Sequence, residues 1–182
     1  MLVGLFYLVR KKIEQKFPIS TNFRTPPNID VVINNISNYK FRVFAIECKF
    51  SEPYRKHQGI KPKYLDILNL WDDVPNIHKL AEAISPDDKK YKYLHTAQLI
   101  KHILGLKNKF GKTKFRLLYL WYDTIGPESA DHHREITDFI KVAKADGVHF
   151  HAMTYQELIV YLSNKYRKTL KDYINYLTER YL

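Results

Sequence analysis

Apolar positions mark out the elements. Leu2, Leu5, Phe6, Val9, Ile13 and Phe17 keep the i, i+3, i+4, i+7 spacing of an amphipathic helix, and Pro18 stops it. Residues 19–28 are turn-rich, with Pro26, Pro27 and Asn28 in succession. Ile29–Ile33 reads as a short β-branched strand. Asn34–Asn38 turns the chain, and Phe41–Phe50 reads as a neighbouring strand. A polar, basic loop follows over 51–63, with Pro53, Gly59 and Pro62. Residues 64–88 read as short helices broken by Pro75 and Pro86, and a longer helix runs from about Tyr91 to Leu106, ending near Gly111. Phe115–Tyr122 is apolar apart from Arg116 and a few tyrosines, the pattern of a strand covered on both faces. A helix from Glu128 to Ala145 is closed by Asp146-Gly147. Val148–Thr154 is a last strand, and Tyr155–Leu182 is helical, in two pieces.

This order predicts an α/β fold, a mixed central sheet flanked by helices. The 182 residues suit one domain, with a core over about 1–154 and a helical C-terminal extension over about 155–182. The chain enters its first helix almost at once, which points to a longer native N-terminus. The opening apolar run, Met1–Val9, is far short of the roughly 20 residues a membrane span needs. Arg10–Lys12 follow that run instead of preceding it, so it makes a poor signal peptide. Cys48 is the only cysteine, which excludes an internal disulfide and a cysteine-rich zinc site. A cytoplasmic protein is the expectation.

Charge adds a partner. Thirty Lys and Arg stand against 19 Asp and Glu, a formal net charge of +11. Such an excess favours a polyanion, most simply nucleic acid. Arg55, Lys56, His57, Lys61 and Lys63 form one basic cluster, and Lys107, Lys109, Lys112 and Lys114 another. Groups of this kind hold phosphates without reading sequence. Phosphate-loop, dinucleotide-turn and nucleophile-elbow motifs are absent. The pairs His132-His133 and His149/His151 lack zinc-ligand spacing and read as helix-cap and sheet-surface residues.

One constellation carries chemistry. Glu47 and Lys49 flank Cys48 in a strand, so they project from one face, about 7 Å apart at Cα. Cys48 points into the opposite layer. Asp30 stands in the preceding strand, and pairing of the two strands brings two carboxylates and an ammonium together. Two carboxylates suit a hard divalent cation such as Mg²⁺. Such a cation activates water and polarises a phosphoryl oxygen, while a lysine offsets the developing charge. The bare acidic-x-Lys pattern also occurs at Glu14-Lys16, Asp87-Lys89 and Asp88-Lys90. Only Glu47-Lys49 ends an apolar strand, Val43-Phe44-Ala45-Ile46, where unpaired charge is costly.

Asp30 followed by Glu47-x-Lys49 in adjacent strands, behind an N-terminal helix, resembles the PD-(D/E)xK nuclease superfamily, the restriction-endonuclease-like fold. The usual proline directly before the aspartate is absent, and Pro27 stands three residues earlier. The resemblance implies an αβββαβ core and a Mg²⁺-dependent deoxyribonuclease, with Mn²⁺ as a substitute metal. It implies Asp30 and Glu47 as metal ligands, helped by the Cys48 carbonyl, and Lys49 as the catalytic lysine. Glu14 matches a glutamate that many members carry on the first helix. Gln98 matches a polar residue on the helix after the catalytic strand. Four positions on, where a RecB-like branch has tyrosine, this chain has His102. On the residues alone, Gln98 shares a helical stripe with Tyr91, His95 and His102, with Lys101 beside it.

The expected function is therefore metal-dependent endonucleolytic cleavage of DNA, duplex ahead of single strands, in restriction or defence. A repair or recombination nuclease, an inactive nucleic-acid-binding module of the same fold, and an interaction domain for an acidic partner stay open. A homodimer, which would give paired cuts, stays open as well.

Overall fold

Five strands form one mixed sheet, in chain order from edge to edge: Val9–Lys16 (β1), Asn28–Asn35 (β2), Val43–Lys49 (β3), Phe115–Trp121 (β4) and Phe150–Thr154 (β5). β1, β2 and β3 run antiparallel, whereas β3, β4 and β5 run parallel. The computed structural model describes residues 9–35, 40–51, 57–124 and 126–182, with backbone alone for 9–11. The described residues hold five helices: Pro75–Ala83 (α1), Thr96–Phe110 (α2), Pro127–Ala145 (α3), Tyr155–Tyr166 (α4) and Lys171–Tyr181 (α5).

Register sorts the strand residues between two layers. Val43, Ala45, Glu47 and Lys49 of β3 pair with Phe115, Leu117, Tyr119 and Trp121 of β4, and all eight are buried on one face. On this side, α2 sends Gln98 and His102 to Glu47, and α3 sends His132 to Tyr119. α1 packs against both helices. On the opposite face Phe44, Ile46, Cys48 and Leu118 are only half-buried, and Arg116 is exposed. α4 and α5 meet that face through Phe50. Its ring stacks on Tyr122 at 4.6 Å and meets Tyr155 and Tyr181 edge-on. The expectation that β4 is covered on both faces thus holds fully for one face only.

The N-terminal reading is corrected. Residues 9–16 form a strand, where the apolar spacing predicted a helix over Leu2–Phe17; Met1–Leu8 lie outside the described residues. β1 is an edge strand rich in Lys and Arg, a composition that discourages further pairing. Ile13, central to the helical pattern, is 66% exposed. Pairing with β2 satisfies the backbone along almost the whole segment, and that tertiary ladder outweighs the local period.

Elsewhere the boundaries shift for identifiable reasons. α2 begins at Thr96, so Tyr91 and His95 precede it. Pro75 starts α1 instead of breaking a helix, because its missing N–H is one the first turn leaves unpaired anyway. α1 lacks a capping side chain of its own. Asp146 supplies one from the turn after α3, accepting from the N–H groups of Asn76 (3.1 Å) and Ile77 (2.8 Å). α4 opens with a capping box between Thr154 and Glu157. Gly59 is required by close approach: a Cβ there would sit 1.9 Å from the Ile84 carbonyl oxygen. No helix of the described residues is long and apolar enough to cross a membrane.

Candidate active site

The β2–β3 ladder ends at Val31–Ile46. Continued, the register would set Asp30 opposite Glu47, on the same face. Instead the Asp30 side chain takes over from the backbone, and its Oδ2 accepts the Cys48 N–H at 2.7 Å. The N–H and C=O of one residue point the same way in an extended strand. The Cys48 carbonyl therefore faces the same gap as Asp30. The Cys48 side chain lies on the other face, half-buried, and burial raises its thiol pKa despite a hydrogen bond with Tyr155.

Glu47 is the hub. Its Oε1 lies 2.7 Å from Lys49 Nζ and accepts from Gln98 Nε2 at 2.6 Å. Its Oε2 stands 2.9 Å from His102 Nε2. Gln98 and His102 are four apart on α2, one turn, so both reach the same carboxylate. The His102 contact is close but lacks the alignment of a hydrogen bond, so Glu47 Oε2 is a buried oxygen with spare accepting capacity.

Burial and charge set the two carboxyls in opposite directions. Burial pushes Glu47 up, but His102 and Lys49 outweigh it and hold the carboxyl below its ordinary value. Glu47 is thereby kept as an anion inside the protein. Asp30 is raised, by burial first and by the negative charge of Glu47; the Cys48 N–H, Lys49 and His102 only partly offset this.

Beside this cluster lies an open groove of about 800 Å³. One wall is the 22–28 segment, another is 57–64, and the floor is α2 with Gln98, Lys101 and His102. Arg24, Lys61, Lys63 and Lys101 line it, and no carboxylate does among the described residues.

The structure brings together Asp30, Glu47, Lys49 and Gln98, with the Cys48 peptide between them. It does not bring in Glu14. That residue sits on β1, not on a helix, at a left-handed φ of 52° that lifts it out of the ladder opposite Asp30. It is exposed and takes no part in the contacts around Glu47. Arg55 and Lys56 of the first basic cluster lie outside the described residues.

The sequence marks His102 by its place on the Gln98 stripe and as the residue standing where a RecB-like branch has tyrosine, and its contact with Glu47 is the addition the structure makes. His132 reverses its sequence reading: it is fully buried, not a helix cap. No group of three or more His, Cys, Asp or Glu side chains among the described residues is set to hold a metal ion. The cluster therefore offers two carboxylates and a carbonyl. That suits an ion which keeps several of its waters, as Mg²⁺ does.

A family model described as REase-ARP, Restriction Endonuclease associating with ARP, matches residues 10–182. No curated protein and no solved structure matches the chain.

Proposed function

Because the chain belongs to the family Restriction Endonuclease associating with ARP, we propose that it is a metal-dependent deoxyribonuclease of the PD-(D/E)xK type, cutting duplex DNA in restriction or defence. The observation that carries this reading is the fork between β2 and β3. There Asp30 bonds the Cys48 peptide and shares one sheet face with Glu47 and Lys49. An isolated salt bridge would need neither the second carboxylate nor the buried His102 and the half-buried Gln98 that face Glu47.

In this reading Asp30 and Glu47 hold Mg²⁺ or Mn²⁺, with the Cys48 carbonyl as a third oxygen. The bound ion supplies Lewis-acid polarisation of the phosphoryl oxygen and a more acidic water. The chain's own groups do the rest. Glu47 stays ionised because His102 and Lys49 face it. Gln98 fixes one carboxylate oxygen and leaves the other turned toward His102. Lys49 carries its ammonium to the same spot, where it orients the attacking water and offsets charge on the phosphorane. Glu14 has no role in this account.

The family's name adds an association with ARP. The exposed aromatic face of α4 and α5, with Tyr161, Tyr173 and Tyr176, suits such a contact. A homodimer across the same face is the competing reading, and light scattering of the chain alone separates the two.

The test of cleavage uses supercoiled plasmid, linear duplex and single-stranded DNA, with Mg²⁺, Mn²⁺ or EDTA. Cutting should need the metal and vanish in Asp30→Ala. No cutting by the intact chain with either metal would leave an inactive binding module as the better account.

A further inference from the structure

Lys101 lies in the floor of the groove, one turn along α2 from Gln98. It has no carboxylate partner among the described residues. Burial lowers its pKa, and the nearby Lys61 lowers it further. A protein gains nothing for its own fold by holding two ammonium groups close together and partly desolvating one. A buried nitrogen of the lining, His57 Nδ1, also lacks a hydrogen-bond partner among the described residues, and an imidazole nitrogen that carries its proton donates to an anion. Arg24 and Lys63 complete the walls.

A concave surface whose described lining holds cations without an acidic partner, an unsatisfied imidazole nitrogen and no acid is a mould for an anion. Its place narrows the choice. Gln98 and His102 line the groove and at the same time contact Glu47, so whatever lies in it leads directly to the candidate active site. We propose that this groove seats the sugar-phosphate backbone of one nucleic-acid strand next to the phosphate to be cut, with Lys101 and Lys61 gripping the phosphates. The proposal rests on the nuclease reading for its orientation, but not for the binding itself. Contacts of this type position a strand without reading its bases.

The test is binding of a fluorescent duplex to the full chain, by anisotropy over a salt series, in EDTA so that nothing is cut. In Lys61→Met/Lys101→Met both stems remain and both charges go. The slope of log K against log salt should become shallower by about 2, one for each phosphate that the chain no longer neutralises. A control pair, Lys168→Met/Lys171→Met, lies outside the groove and should leave the slope near that of the intact chain.

Stability supplies an independent readout. Removing an unpaired, partly buried ammonium should leave the melting temperature unchanged or higher. A double variant that melts lower and binds DNA as before would make Lys101 structural and overturn the proposal. So would an equally shallow slope in the control pair, which would mean diffuse attraction to the +11 chain. The two readings fail separately. A chain that never cuts but whose slope falls in the double variant keeps the groove and loses the nuclease. A chain that cuts with an unchanged slope keeps the nuclease and loses the groove.

Discussion

His102 on α2 and His132 on α3 lie on the same side of the sheet, both at 0% exposure, and they differ in what faces them. His102 meets a carboxylate, Glu47, at 2.9 Å. His132 meets aromatic rings: its Nε2 is 3.2 Å from the Tyr119 hydroxyl, and its ring is 4.3 Å from that of Trp121. Register makes the contrast sharper, because Glu47 and Tyr119 are direct partners across β3 and β4. One residue type at one depth thus serves two ends. Beside an anion, the ring helps to keep a buried carboxylate ionised. Among rings, burial drives the imidazole to its neutral form, with its pKa lowered to about 4. Burial alone does not distinguish a functional histidine; the neighbour does.

The largest effect should come from the α2 side. Lys49→Ala removes the ammonium next to Glu47, and cleavage of plasmid should fall at least about 100-fold. Duplex binding in EDTA should remain, because the groove cations are untouched. Cleavage at the normal rate would remove Lys49 from the mechanism.

The α3 side should answer to pH and not in the cleavage assay. His132 is lowered by burial first and by His133 next. A histidine with a depressed pKa binds its proton more readily when the chain is unfolded. Its contribution is therefore complete above the unfolded pKa of about 6.5 and is lost as pH falls toward 4. The loss approaches about 3 kcal/mol at the acid end. In His132→Phe that part of the acid loss should disappear from urea melts recorded between pH 7 and 4, with plasmid cleavage at pH 8 unchanged. Parallel pH curves for the two proteins would contradict the assignment.

His102→Leu tests the other half of the contrast. The ring faces Glu47 Oε2 at 2.9 Å, and partners of metal-binding carboxylates typically matter by about 10–100-fold. Mn²⁺ affinity, measured by calorimetry, and plasmid cleavage should fall together within that range. A variant that loses stability while its Mn²⁺ affinity holds would make His102 structural, like His132.

The two sides also differ in how far the sequence exposes them. Asp30, Glu47 and Lys49 were legible because charged residues interrupt apolar strands, and a short-range pattern carries that signal. Gln98 was legible through helical spacing. α3, β4 and the split C-terminal helix follow from longer apolar patterns, and β5 from the short run after Asp146-Gly147. β1 was hidden because its identity lies in a ladder with β2, about 20 residues away in sequence, and Ile13 imitates a helical core position. Glu14 was misplaced with it. The role of His132 was hidden because a histidine among polar neighbours in sequence gives no sign of the Tyr119 and Trp121 rings brought by another element. Asp146 likewise reads as a turn residue, and only the fold sets it at the start of α1.

Tyr119→Phe is the smallest and most selective test of the aromatic side. The exchange keeps the buried ring and deletes one oxygen, which stands 3.2 Å from His132 Nε2. A hydrogen bond between neutral groups contributes about 1 kcal/mol, and that is the expected loss in a urea melt at pH 8. A single variant cannot separate a broken hydrogen bond from a small packing change. The same exchange in His132→Phe can, because there the hydroxyl has already been deprived of the ring nitrogen. The cost should then be smaller by about 1 kcal/mol, the coupling between the two positions. Additive costs would mean that the 3.2 Å approach contributes nothing to stability. Either way plasmid cleavage should stay at the level of the intact chain, since Tyr119 is the strand partner of Glu47 and yet sends its hydroxyl to α3.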